Sequence, residues 1–345
     1  MSTLRIQPLR LLTSVLSGVL FSLTFVGVSH ADAPGPTDYS STITSIDTPE
    51  GSSLPAGVNI SVEGHDSFLA IRVTEGVTVE ISGYEGEPYL QIDENCHVVE
   101  NQRAMSTWYN RERFGSNVDR SLVNHELPPE WKQIGSNCAV AWHDHRLHYM
   151  SPSAPVNAEP GDILVIDSIP ILISELEVEV HVESVLIKRP SRVVPTVVAA
   201  LALVISALLL RLRLMSIATT ASAALALVFG GAQYLWSAPE TGPQLSIILT
   251  PLLAVVAGGW AVRSRHTPMS IATVGAQLLG GVLLAVWVWQ RVGVITAALL
   301  PTSLPYVLDR AGTAAIASIA VVSIAHAAVV LGRLASAGPA PMVRS

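Results

Sequence analysis

Charge is scarce in this chain: Asp, Glu, Lys and Arg make up 14% of it, against about 25% in a typical soluble domain. Basic residues are rarest between residues 32 and 190, where 25 acidic side chains face only 9 basic ones. Such an acidic stretch repels phosphate backbones, which argues against nucleic-acid binding. Catalytic signatures are missing too. There is no G-x-S-x-G, no H-E-x-x-H, no Walker loop and no dinucleotide fingerprint, and no serine or cysteine sits in the context of a nucleophile. The expectation is therefore a protein that is not an enzyme. Cysteine occurs twice, at Cys96 and Cys138, enough for one disulfide and no more.

Hydrophobic residues, by contrast, make up 50% of the chain and the mean hydropathy is +0.46. That is high for a soluble protein and low for one embedded throughout, and the charge distribution explains the average. From residue 191 onward there are 2 acidic and 9 basic residues, so an acidic region is joined to an apolar, weakly basic one. Residues 1–31 carry Arg5 and Arg10, an apolar run from Leu11 to Val28, and Ser29-His30-Ala31. This is the pattern of a secretory signal cleaved after Ala31, with an uncleaved anchor as the rival. Either version exports the chain from Asp32 onward.

Residues 32–190 read as an extracytoplasmic, all-β, sandwich-like domain. Asp32 to Ser41 is rich in Pro, Gly and Ser and reads as loose chain. Leu176, Val178, Val180 and Val182 alternate with Glu177, Glu179 and His181, the period of a strand with one wet face. Shorter strands are expected at 58–62, 68–73, 77–81, 89–92 and 163–173. Residues 108–114 suit either a helical turn or an ordered loop. In an oxidising compartment Cys96 and Cys138 are expected to pair, tying two turns together. The rival is a pair of free thiols contributing to a metal site.

Five apolar runs in residues 191–331 are long enough to cross about 30 Å of hydrocarbon. They are 193–210, 214–236, 245–262, 269–289 and 313–331, followed by a cytoplasmic tail, 332–345. The fold class is thus a β-rich exported domain followed by an α-helical transmembrane bundle of about five helices, placed in the cell membrane. Arg211, Arg213, Arg263, Arg265 and Arg333 fall on the cytoplasmic side of this arrangement, as the positive-inside tendency requires. Lys188, Arg189, Arg192, Arg291 and Arg310 do not. Residues 292–308 are apolar but broken by Pro301 and Pro305, and read as an interfacial or re-entrant segment, with a sixth crossing as the alternative. The five runs hold no Asp, Glu, Lys or Arg. Ion-coupled transport needs ionisable groups at membrane depth, so a pump is disfavoured.

The most informative stretch is Trp142-His143-Asp144-His145-Arg146-Leu147-His148-Tyr149-Met150. On one strand, His143 and His145 share a face about 7 Å apart, and His148 joins them only if the strand breaks or turns. His143, His145, His148 and Met150 are candidate metal ligands, with Asp144 orienting a histidine from behind. The thioether puts copper ahead of zinc. His97, Met105 and His125 are further candidates if the fold brings them close. The competing reading is structural: Asp144 paired with Arg146, and Arg103, Arg111 and Arg113 facing Glu85, Glu87 and Glu112.

The runs Gly83-Tyr84-Glu85-Gly86-Glu87-Pro88-Tyr89-Leu90, Glu100-Asn101-Gln102-Arg103, Trp108-Tyr109-Asn110, Arg113-Phe114-Gly115, Pro129-Glu130-Trp131 and Trp142-His143-Asp144-His145-Arg146 occur in that order. Together they resemble a family of membrane proteins from high-GC Gram-positive bacteria. Its members have one extracytoplasmic domain and a C-terminal helical bundle. The resemblance brings no established activity. Cys96 and Cys138 stand where that family would place Gly or Asp turn residues. Two functional classes are in contention. One is a membrane protein whose exported domain binds a metal or presents a binding surface. The other is an accessory subunit of a membrane complex in which the same residues only hold the fold, docked to a membrane or extracytoplasmic partner protein. A transporter or metal-dependent hydrolase is a remote third.

Overall fold

The computed structural model describes residues 33–114, 121–124, 127–151, 153–264 and 270–336. The expected signal segment, His125 and the last nine residues lie outside this range. Ten strands make up the N-terminal head. They are β1 (Tyr39–Asp47), β2 (Asn59–Glu63), β3 (Phe68–Arg72), β4 (Val79–Ser82), β5 (Pro88–Ile92), β6 (Val98–Asn101), β7 (Trp131–Gly135), β8 (Ala139–Trp142), β9 (Ile163–Ile173) and β10 (Leu176–Leu186). A short helix, α1 (Met105–Tyr109), follows β6; of the region left open it takes only Trp108 and Tyr109, and residues 110–114 are turns and a bend. All pairings are antiparallel. A seven-stranded sheet runs β1-β10-β9-β4-β5-β6-β7, and a three-stranded sheet runs β2-β3-β8.

The alternation read in β10 is the one observed: Val178, Val180, Val182, Ser184 and Leu186 are buried and the residues between them are not. The three valines join Ile81, Leu90, Ile92, Ile169, Ile171 and Ile173 from the same sheet. From the smaller sheet Leu69, Ile71, Val140 and Trp142 complete a single core. Removing that much branched aliphatic surface from water is the main force that holds the two sheets together. The segment expected to be loose is not so throughout. Tyr39 already opens β1, and before it Thr37 forms a bridge with Leu299. The Cys96–Cys138 disulfide is present and joins the turn after β5 to the turn before β8.

Five long apolar helices follow: α2 (Val193–Arg211), α3 (Met215–Trp236), α4 (Ser246–Arg263), α5 (Ile271–Gln290) and α6 (Tyr306–Ser336). The last begins seven residues before the expected run, because Pro305 sits where a helix start tolerates proline. Residues 292–308 do not form a sixth crossing. Val292–Ile295 is a 3₁₀ turn, an irregular stretch follows, and Tyr306 enters α6. α6 packs against α2, α3 and α5, while α4 lies against α3 and α5. Close approach depends on small residues. A Cβ on Gly230 of α3 would stand 2.3 Å from the backbone oxygen of Ile247 in α4.

The head is seated on the bundle by polar contacts along 297–300 and the α3–α4 connection. The amide of Ala298 donates to Asp38 Oδ1 at 2.9 Å, and Asp38 also holds Arg189 at 2.6 Å. His65 Nε2 meets the carbonyl of Leu300 at 3.1 Å and its ring lies 5.0 Å from that of Trp236. Arg72 bridges Glu63 within the head and Glu240 beyond it, at 3.1 and 3.2 Å.

Candidate metal centre

β8 pairs with β3 through Leu69↔Trp142 and ends there. The chain then turns, with the amide of Leu147 donating to the carbonyl of Asp144 at 3.0 Å. Ser41 Oγ on β1 pins the far side of the turn by donating to the Leu147 carbonyl at 2.6 Å. The strand therefore breaks at the place that lets a third histidine join. His143, His145 and His148 are 3%, 8% and 1% exposed, and one ring nitrogen from each lies within 4.8 Å of the others. Their ring centroids are 4.6 Å (143–148), 5.2 Å (143–145) and 5.6 Å (145–148) apart.

Each imidazole faces a backbone carbonyl. His143 Nδ1 is 2.7 Å from Ser67 O, His148 Nδ1 is 3.0 Å from Tyr149 O, and His145 Nε2 is 3.0 Å from Glu112 O. A carbonyl oxygen can only accept, so each of these nitrogens carries the hydrogen. A neutral ring has one N–H, and the assignment of tautomers follows from the partners. The other nitrogen of each ring is then a bare lone pair. His143 Nε2 and His148 Nε2 face each other at 2.9 Å, and His145 Nδ1 is buried with no hydrogen-bond partner. Burial, helped by the nearby Arg113 guanidinium, keeps the rings uncharged. It pushes His143 down to about 3 and His148 to about 2, and His145 below its ordinary value. Two opposed lone pairs at hydrogen-bond distance, with neither ring protonated there, repel unless a cation lies between them.

Of the other expected ligands, Met150 is 37% exposed, at the solvent end of the segment. Met105 opens α1, and His97 is engaged by Asp93 at 2.9 Å on an exposed turn. The role expected for Asp144 is corrected. Its carboxylate does not orient a histidine, since Arg146 takes it at 2.9 and 2.8 Å and the Trp142 indole donates to it at 2.9 Å. Burial pushes this carboxyl up, but the Arg146 bonds and charge, with Trp142, outweigh burial and hold it below the usual range. Carbonyls do the orienting instead, and a carbonyl leaves no mark in a sequence.

Several side chains that support the centre were not singled out for it from sequence. Tyr84 OH accepts the amide of His145 at 2.8 Å and donates to Asn110 Oδ1. Arg113 donates to Ser67 Oγ at 2.9 Å and pairs with Asp66 rather than with a glutamate. Arg103 likewise takes Glu130, and Arg111 stacks on Trp108. Tyr84, Asn110 and Arg113 lie within the runs 83–90, 108–110 and 113–115 singled out in the sequence. No family model, no curated protein sequence and no solved structure matches this chain.

Proposed function

We propose that this is a non-enzymatic, multi-pass membrane protein whose exported head holds one transition-metal ion on His143, His145 and His148. A single observation carries the reading. All three imidazoles commit one N–H to a backbone carbonyl, the remaining His143 and His148 nitrogens face each other at 2.9 Å, and a ring nitrogen of His145 lies within 4.8 Å of a nitrogen of each. Imidazole nitrogen suits zinc, copper, iron and nickel, and fixed tautomers behind the ligands are the usual company of a metal site. Export of the head is supported by the signal-like N-terminus, by the disulfide and by Arg211, Arg213, Arg263 and Arg333. These four close the helix ends away from the head. The resemblance to membrane proteins of high-GC Gram-positive bacteria agrees with a place in the cell membrane.

The test is metal content of the full chain in detergent, stripped and then reloaded. One ion per chain is expected, lost in His143→Gln and in His148→Gln with the near-ultraviolet circular dichroism kept. Failure of the unaltered chain to take any ion overturns the proposal. A second reading keeps the segment purely structural, favoured by the pair of the fully buried Asp144 with the mostly buried Arg146. It predicts that the histidine variants lose stability and that no ion ever binds. For orientation, alkaline phosphatase fused after Pro190 should be active, and activity only of a cytoplasmic reporter there rejects export.

A further inference from the structure

The charge of the ion can be argued from the surroundings of the three rings. The gathered set contains no carboxylate and no thiolate among the described residues. Two acidic groups lie near, and each is already matched. Arg146 holds Asp144 and Arg113 holds Asp66, both carboxylates being fully buried. The walls are aromatic. Phe68 stands edge-on to His143 at 6.1 Å, Tyr109 lies 4.5 Å from His145, and Phe114 lies 6.0 Å from His148. Arg113 also donates to the hydroxyl of Ser67, whose carbonyl holds His143, so a fixed positive charge stands behind that ligand.

The cost of taking an ion out of water grows as the square of its charge, so a divalent ion loses about four times the solvation of a monovalent one of equal size. Three neutral imidazoles return none of that as opposite charge. Three-histidine zinc centres meet the difficulty with a water or hydroxide in an open fourth position. Here the rings are buried and no fourth His, Cys, Asp or Glu side chain joins them among the described residues. Building on the metal reading, we infer that the centre selects a monovalent d¹⁰ ion, Cu(I), held by three nitrogens, over Zn(II) and Cu(II). The preference for copper then rests on charge and burial, with the Met150 thioether playing no part.

The experiment uses the unaltered full chain, metal-free in detergent and without oxygen, dialysed against equal concentrations of Cu(I) and Zn(II). One copper per chain is expected, exceeding bound zinc by at least about a hundredfold, a difference of about 2.8 kcal/mol. X-ray absorption at the copper edge should show three nitrogen scatterers and no sulfur, and Ag(I) should displace the copper. Zinc filling the site, or sulfur in the copper shell, overturns this inference and leaves the metal reading standing. If neither ion binds, the metal reading itself falls. Because the decisive measurements use the unaltered protein, a histidine variant that misfolds does not affect them.

Discussion

Replacing Asp144 by asparagine removes the fully buried negative charge that balances the mostly buried Arg146. Breaking one side of such a pair costs roughly 3–5 kcal/mol, because the surviving charge stays buried alone. Asp144→Asn should therefore lower the thermal midpoint far more than it changes metal stoichiometry. Tyr84→Phe makes a sharper case. It leaves the amide of His145 without its acceptor, for about 1–3 kcal/mol, measurable by denaturant titration. Sequence reasoning found His143, His145 and His148 because three imidazoles within six residues are rare and conspicuous. It left Asp144 open between a histidine and Arg146, and the pair with Arg146 was decided by a turn that packing against Ser41 fixes. Nothing local in the sequence distinguishes a carboxylate that holds an imidazole from one that holds the arginine two residues on.

The disulfide belongs to the scale of elements. Cys96 and Cys138 have φ of 68° and 54°, the left-handed region in which a side chain is unwelcome and glycine is at ease. Both positions are turns by conformation, and the crosslink offsets their strain. Closing a 42-residue loop stabilises by about 4 kcal/mol in the chain-entropy model. Cys96→Ser with Cys138→Ser should lose that amount. Cys96→Gly with Cys138→Gly should lose less, by about 1–2 kcal/mol for each strained position relieved, and paired unfolding curves decide it. The strands with clean alternation were legible, β10 above all. β1 and β6–β8 were not, since their burial comes from partners far along the chain.

Across the whole molecule, two of the arginines that break the expected positive-inside pattern prove to have local work. Arg291 lies under Asp309 with bonds of 2.6 and 2.7 Å, and Arg310 donates to the carbonyls of Ala297 and Ala298 at 2.6 and 2.9 Å. They organise the segment on which the head rests, a task that hydropathy cannot reveal. Asp309→Asn should cost the bundle roughly 3–5 kcal/mol. Arg291→Met with Asp309→Leu should recover much of it, as read by thermal unfolding in detergent. The same resting place meets the loop formed by residues 64–67. At one end of it Ser67 O steadies His143, and at the other His65 reaches Leu300. Four residues thus answer both to the histidine trio and to the membrane floor, as a short lever does to its two ends. Loading the trio should slow hydrogen exchange at the amides of residues 298–300, and unchanged exchange there would mean that the lever carries no motion.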